Sequence, residues 1–223
     1  MGGGVHIPIP AGTVEDTFEH AIEIIAETFR DDPFQRYALI EELQAEGVRD
    51  ISYELNKAVF SDVIPGMVQD GARSLTTVEL SGVASVWVVQ AVTPTFTPIP
   101  HFPYAVNEIN GLAHQARRKH VPKGCKEMLH LILLGNDRSH PSHDPSRNSK
   151  VSDVIRPVLQ MAKEMKWPVV LEATTEKSRD VYLHLGLEIL EEITVGKGKI
   201  DREGRAKEGG EGCLLWSMMK RCD

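Results

Sequence analysis

Few side chains in this 223-residue chain sit where they could do chemistry. His130 stands inside an apolar run, Leu129-His130-Leu131-Ile132-Leu133-Leu134. An imidazole there is either a satisfied core group or, kept neutral, a relay that takes a proton from a reacting group. Glu172 and Glu108 are carboxylates that could act as a base or pair with an amine, beside their ordinary uses as a structural support and a solvated helix residue. Arg138, Arg147 and Lys150 bring cations to the start of a helical stretch, where the helix dipole adds to their pull on phosphate; as a plain solvated loop they need no ligand. Phe34, Tyr37, Trp87, Phe96, His101, Phe102 and Tyr104 suit an apolar or aromatic small molecule better than a highly charged polyamine, although aromatics are also ordinary core. His140 and His143, beside Asp137 and Asp144, have metal-ligand chemistry but no fixed geometry, so no metal is expected. Cys125, Cys213 and Cys222 are odd in number and widely spaced, which argues against a disulfide framework or a zinc knuckle.

Such side chains need a scaffold. Residues 1–12 read as a flexible Gly-rich tail or, over 5–10, a short edge strand. From Thr13, Phe18, Ala21, Ile22, Ile25, Ala26 and Phe29 recur at three- and four-residue steps, predicting a helix that stops at Asp31-Asp32-Pro33. Further helices are expected over 34–47 and 51–68, the second interrupted by Pro65-Gly66. Stretches 74–80 and 83–90 flank Ser81-Gly82 as a hairpin. Four prolines make 92–104 a loop. A helix over 107–119 then precedes an apolar strand at 127–134, a polar loop to 150, an amphipathic helix over 151–167 and a buried strand at 168–173. A short helix over 176–185 ends at Gly186, an expected C-cap. Strands at 187–195 and 212–219 flank a charged, Gly-rich segment. The pattern predicts one domain over 13–223.

The 25 Lys and Arg against 32 Asp and Glu leave a net charge of −7, which opposes binding to nucleic acid or anionic membranes. No apolar run is long enough to span a bilayer, and the first residues lack a signal-peptide pattern, so an intracellular, cytoplasmic protein is expected.

The second half of the chain resembles the GNAT family of acyl-CoA-dependent N-acetyltransferases, most closely its fungal members. The residues that carry the likeness are Leu129 to Gly135, Arg156-Pro157-Val158-Leu159, Leu171-Glu172-Ala173-Thr174 and Ser178-Arg179-Asp180-Val181-Tyr182-Leu183-His184-Leu185-Gly186-Leu187. Phe29-Arg30-Asp31-Asp32-Pro33 and Gly82-Val83-Ala84-Ser85-Val86-Trp87 fit more loosely. The resemblance implies an α/β (α+β) fold with a mixed, mostly antiparallel central sheet, a central parallel strand–helix–strand crossover and helices on both faces. It implies that two central strands part around an acyl-pantetheine arm, with Leu133, Leu134 and Gly135 at the thioester. It also implies acetyl-CoA as co-substrate, a small-molecule acceptor, Tyr182 as the acid for the departing thiolate, and an acceptor side built from Phe34, Tyr37, Trp87, His101, Phe102, Tyr104 and Glu108. A monomer or homodimer is expected.

One motif departs. Where the family carries Q/R-x-x-G-x-G/A, this chain has Arg147-Asn148-Ser149-Lys150-Val151-Ser152, with Lys where glycine belongs. Arg147, Ser149, Lys150 and Ser152 are the candidates for meeting phosphate, but side chains stand where backbone should approach it. A second reading follows: the fold survives and catalyses a CoA-independent cyclisation, dehydration or isomerisation, with His130, Tyr182 and His101 as acid–base groups. A third is a noncatalytic binding relative.

Overall fold

A computed structural model describes residues 15–69, 74–93, 95–98, 102–147 and 149–221. The candidate edge strand at 5–10, His101 and Cys222 lie outside them. The helices are α1 (Glu15–Thr28), α2 (Pro33–Ala38), α3 (Ile40–Glu46), α4 (Tyr53–Gln69), α5 (Tyr104–His120), α6 (Val151–Met165) and α7 (Glu176–His184). The strands are β1 (Ser74–Leu80), β2 (Val83–Ala91), β3 (Glu127–Asn136), β4 (Val169–Ala173), β5 (Glu188–Val195) and β6 (Cys213–Lys220), in the sheet order β1-β2-β3-β4-β6-β5. Every neighbouring pair is antiparallel except β3 with β4, which α6 joins in parallel. This is the expected mixed sheet.

Strand periodicity divides the core in two. Trp87 and Val89 of β2, Leu129 and Leu131 of β3, and Trp216 and Met218 of β6 face α6 and α7. On the opposite face, Ala84, Val86 and Leu133 meet α1 and α4, while Val195, Cys213 and Leu215 meet α2 and α5. Val154, Ile155, Val158, Leu159 and Ala162 bury the apolar stripe of α6. Thr175 caps α7 by accepting from the Ser178 N–H at 3.1 Å, and Gly186, at φ +82°, ends it as expected.

Three boundaries differ from the sequence expectation. The helix expected over 34–47 breaks at Leu39, whose ψ of 16° lets it turn in with Leu43 and Ile51 while Phe34 and Tyr37 pack beside α5. Helix α4 runs through Pro65-Gly66 to Gln69, so the proline forgoes a ladder bond without ending the helix. Helix α5 starts at Tyr104, directly after Pro103. The charged, Gly-rich segment at 196–210 is packed structure: Ile200 and Ala206 form a bridge, and Arg36 of α2 donates to the Glu203 carbonyl at 2.6 Å.

Among the described residues no helix is long and apolar enough to cross a membrane, and no group of three or more His, Cys, Asp or Glu is placed to hold a metal.

Candidate active site

The central feature is a fork. Strand β3 pairs with β2 from Glu127 to Asn136, but with β4 only through Leu129–Val169, His130–Val170 and Leu131–Leu171. The fork opens at a bulge: Trp87 opposes Leu131 and Val86 opposes Leu133, so Ile132 is the extra residue. A bulge adds twist and re-aims the chain, and this one sits directly beyond the last parallel rung. Past Leu131 the β4-facing edge of β3 has no strand partner among the described residues, leaving backbone N–H and C=O groups for an extended ligand. Gly135 has a further packing role. A Cβ there would lie 3.0–3.1 Å from Ile24 and Ile25, so the missing side chain lets α1 pass over the fork.

A buried polar group lies at the branch point, on the face shared with α5. Arg117 Nη1 donates to Glu172 Oε1 at 2.5 Å, and His130 Nε2 meets Glu172 Oε2 at 2.8 Å. Burial pushes the Glu172 carboxyl up, but the Arg117 guanidinium and the His130 contact outweigh it and hold it at about 2. An ionised carboxylate only accepts, so His130 Nε2 carries the hydrogen; the atom 3.1 Å from the bare Nδ1 is Gln90 Oε1, and the Gln90 amide must turn its NH2 to the ring to donate to it. Burial also holds the imidazole below its ordinary value, in its neutral form. Both ring nitrogens and both carboxylate oxygens are therefore engaged. Arg117 is a residue that the sequence does not single out: it is buried, while Lys119 and His120 of the adjoining helix end pair with Glu191.

Tyr182 lies across the sheet, in the cluster of Leu171, Ala173 and Trp216. Burial raises its pKa, so the phenol stays protonated at neutral pH. Among the described residues, the sealed polar side-chain atoms without a partner are Arg36 Nε, Arg117 Nε and Ser217 Oγ. The Tyr182 side chain is 5% exposed, and its hydroxyl makes no hydrogen bond to the described residues.

The segment between β3 and α6 is tied down on its own account. His140 contacts Glu23 at 3.0 Å and Ser142 at 2.8 Å, and His143 Nδ1 donates to the Ser81 carbonyl at 3.0 Å. The two histidines clasp α1 and the β1–β2 turn. At the start of α6, the Lys150 N–H donates to Asp153 Oδ2 at 2.9 Å. Arg147 and Lys150 are exposed, Ser149 and Ser152 half-buried, and Arg147 lies 3.8 Å from Asp144. Sequence could have flagged Asp153, because a carboxylate in the first turn of a helix complements its dipole.

The aromatic set does not form one wall. Phe34 and Tyr37 lie beside α5, with the Tyr37 hydroxyl donating to Glu108 Oε2 at 2.6 Å. The same oxygen accepts from the Gly196 N–H at 3.3 Å, so Glu108 is not simply solvated. Trp87 is on the other face of the sheet, its Nε1 donating to Ser85 Oγ at 2.9 Å. Tyr104 is exposed under Lys199, and Phe102 is half-buried. A cavity of about 380 Å³ lies between α2–α3 and the 201–207 segment, lined in part by Arg36, Leu43, Arg49 and Arg205 and by no residue of β3, β4 or α7.

No protein-family model matches the chain, and no curated protein matches it by sequence. Solved structures do. A yellow fever mosquito protein described as arylalkylamine N-acetyltransferase 7 is similar at 19% identity and a TM-score of 0.58, over 95% of this chain and 86% of that one. Arylalkylamine N-acetyltransferase 2 from Aedes aegypti is similar at 13% identity and a TM-score of 0.52, over 95% and 97%. The C-terminal condensation domain of Ebony, solved with beta-alanyl-dopamine, is similar at 14% identity and a TM-score of 0.55, over 92% and 94%. Together with the forked sheet, these likenesses show that the chain has the GNAT fold.

Proposed function

We propose that this protein is an acyltransferase that moves an acetyl group from a thioester, acetyl-CoA in the first instance, to the amine of a small molecule in cytoplasmic metabolism. The observation that carries the reading is the fork: a bulged strand with a free edge accepts the amide-rich pantetheine arm as a further strand. The arylalkylamines and beta-alanyl-dopamine named for the similar structures support an aromatic amine as acceptor.

In this reading the amine nitrogen, arriving neutral, attacks the thioester carbonyl carbon. The carbonyl electrons move to oxygen, the tetrahedral oxyanion collapses, the C–S bond breaks, and the thiolate takes the Tyr182 phenolic proton. The nitrogen gives its proton to solvent, and solvent returns one to the Tyr182 phenolate; His130 and Glu172 are already bonded to one another and to Gln90 and Arg117. The buried trio instead holds the branch point of the fork in shape. A second reading, catalysis with no thioester at all, draws on the capped start of α6, and it predicts turnover of a metabolite in the absence of any CoA.

The test is release of free thiol from acetyl-CoA across a panel of arylalkylamines and polyamines. Acceptor-dependent release is expected, strongest with aromatic amines, and its absence across the panel overturns the reading. Tyr182→Phe should lower kcat by about tenfold to a hundredfold while leaving the melting temperature close to that of the wild type. Unchanged kcat removes Tyr182 from the mechanism.

A further inference from the structure

We infer that the acyl donor is recognised through its pantetheine arm alone, and that the nucleotide end of CoA contributes little to binding. The inference rests on the acyl-transfer reading and concerns which part of the donor the protein holds.

The two halves of acetyl-CoA ask for different surfaces. The pantetheine arm is an extended chain of amides, and the free edge of β3 beyond Leu131 offers it complementary backbone groups. That half fits. The pyrophosphate needs backbone N–H groups that converge without intervening side chains, at a helix N-terminus whose positive end is free. That half does not fit here.

Three observations carry the disagreement. First, an anion of the protein itself occupies part of the helix end: the Lys150 N–H, at the position where the family carries its first glycine, donates to Asp153 Oδ2 at 2.9 Å. A pyrophosphate would have to displace that carboxylate or sit against its negative charge. Second, the loop leading into the helix is shaped by internal bonds. Asp144 Oδ1 accepts from Ser146 N–H and hydroxyl at 2.9 and 2.6 Å, the Ser142 hydroxyl donates to Glu79 at 3.0 Å, and His140 is held by Glu23. The loop is thereby drawn onto the β1–β2 turn and α1. Third, Arg138, Arg147 and Lys150 are exposed, and Arg147 lies beside Asp144, so their attraction for phosphate acts through water and is screened by salt. They offer a diffuse field in place of a cradle.

The measurement is calorimetric titration of the full chain with S-acetyl-pantetheine and with acetyl-CoA, each also assayed as donor for the best amine. The two thioesters should bind within about threefold of each other, against the much larger advantage that a phosphate cradle would give acetyl-CoA. Asp153→Ala, which frees the helix end, should raise affinity for acetyl-CoA about fivefold or more and leave that for S-acetyl-pantetheine unchanged. Acetyl-CoA binding more than about thirtyfold tighter to the wild type, with a ratio insensitive to Asp153→Ala, overturns the inference and leaves the acyltransferase reading intact. Equal binding of both thioesters with no transfer to any amine supports the inference and sinks the reading. Binding of neither overturns both.

Discussion

Arg117 decides the character of the polar group at the fork. With His130 neutral, its guanidinium is the cation that keeps Glu172 ionised, and the pair is buried against α5 and β4. A buried ion pair adds little net stability over a well-packed apolar replacement, but removing one member strands the other charge. Arg117→Met should therefore cost about 3–5 kcal/mol in urea unfolding. Glu172→Gln placed on top of Arg117→Met should recover much of that loss, since the stranded anion is gone. If the double variant is no more stable than Arg117→Met alone, Glu172 is not the charge that Arg117 serves. The same bonds explain why His130 reads ambiguously in the sequence. A lone imidazole in an apolar strand reveals its role only through its partners, and those come from β2 and β4, 40 and 42 residues away for Gln90 and Glu172.

At the scale of elements, the segment between β5 and β6 closes over α2. Gly204 has φ +77°, and a Cβ there would overlap the Pro33 carbonyl oxygen, a backbone atom held at the first turn of α2. That turn is fixed in its place: Asp32 accepts from the Phe34 and Gln35 N–H groups, and from the Thr174 hydroxyl at 2.7 Å beyond the end of β4. Gly204→Ala should lower stability by about 2 kcal/mol or more, through both the strained backbone and the clash. Thermal unfolding within a degree of the wild type would show that the segment is loosely attached. In sequence this stretch is only a charged, Gly-rich segment, because its packing depends on glycines whose value lies in close approach. Elements with a clean period were legible from sequence: the hairpin about Ser81-Gly82, α6, β4 and α7. The bulge was not. Leu129, Leu131 and Leu134 face one side of the sheet and Leu133 the other, but an unbroken apolar run conceals the slip of phase at Ile132. Nor does a residue list tell which face of a sheet each aromatic takes, which is why Trp87 and Tyr37 looked like neighbours and are not.

For the whole molecule, the fork is a seam as well as a cleft. The face that carries α1 to α5 holds separate apolar clusters, among them one around α1, α4 and the first strands and another around α2, α5 and the last strands. His130, Glu172 and Arg117 lie in the line between them, so their ionisation bears on how the two halves hold together. Glu172 has a folded pKa of about 2 against an ordinary 4.5. Its contribution is complete above about pH 4.5 and is lost as the pH falls towards 2; the full shift corresponds to roughly 3 kcal/mol. His130 acts in the same direction. It stays neutral in the fold while the unfolded chain takes up its proton below an ordinary value of 6.5, so protons favour unfolding. Stability should thus be level near neutrality, begin to fall below about pH 6.5 and steepen below about pH 4.5. Glu172→Gln should be the less stable protein at about pH 7, because Arg117 loses its counter-ion, and its curve should approach the wild type as the pH drops, because the carboxylate it lacks is the group being titrated. Urea midpoints measured at several pH values between about 7 and 3.5 give both curves. Parallel curves would mean that the acid limb belongs to other carboxylates, and that the seam is held by its apolar flanks rather than by the ionic trio.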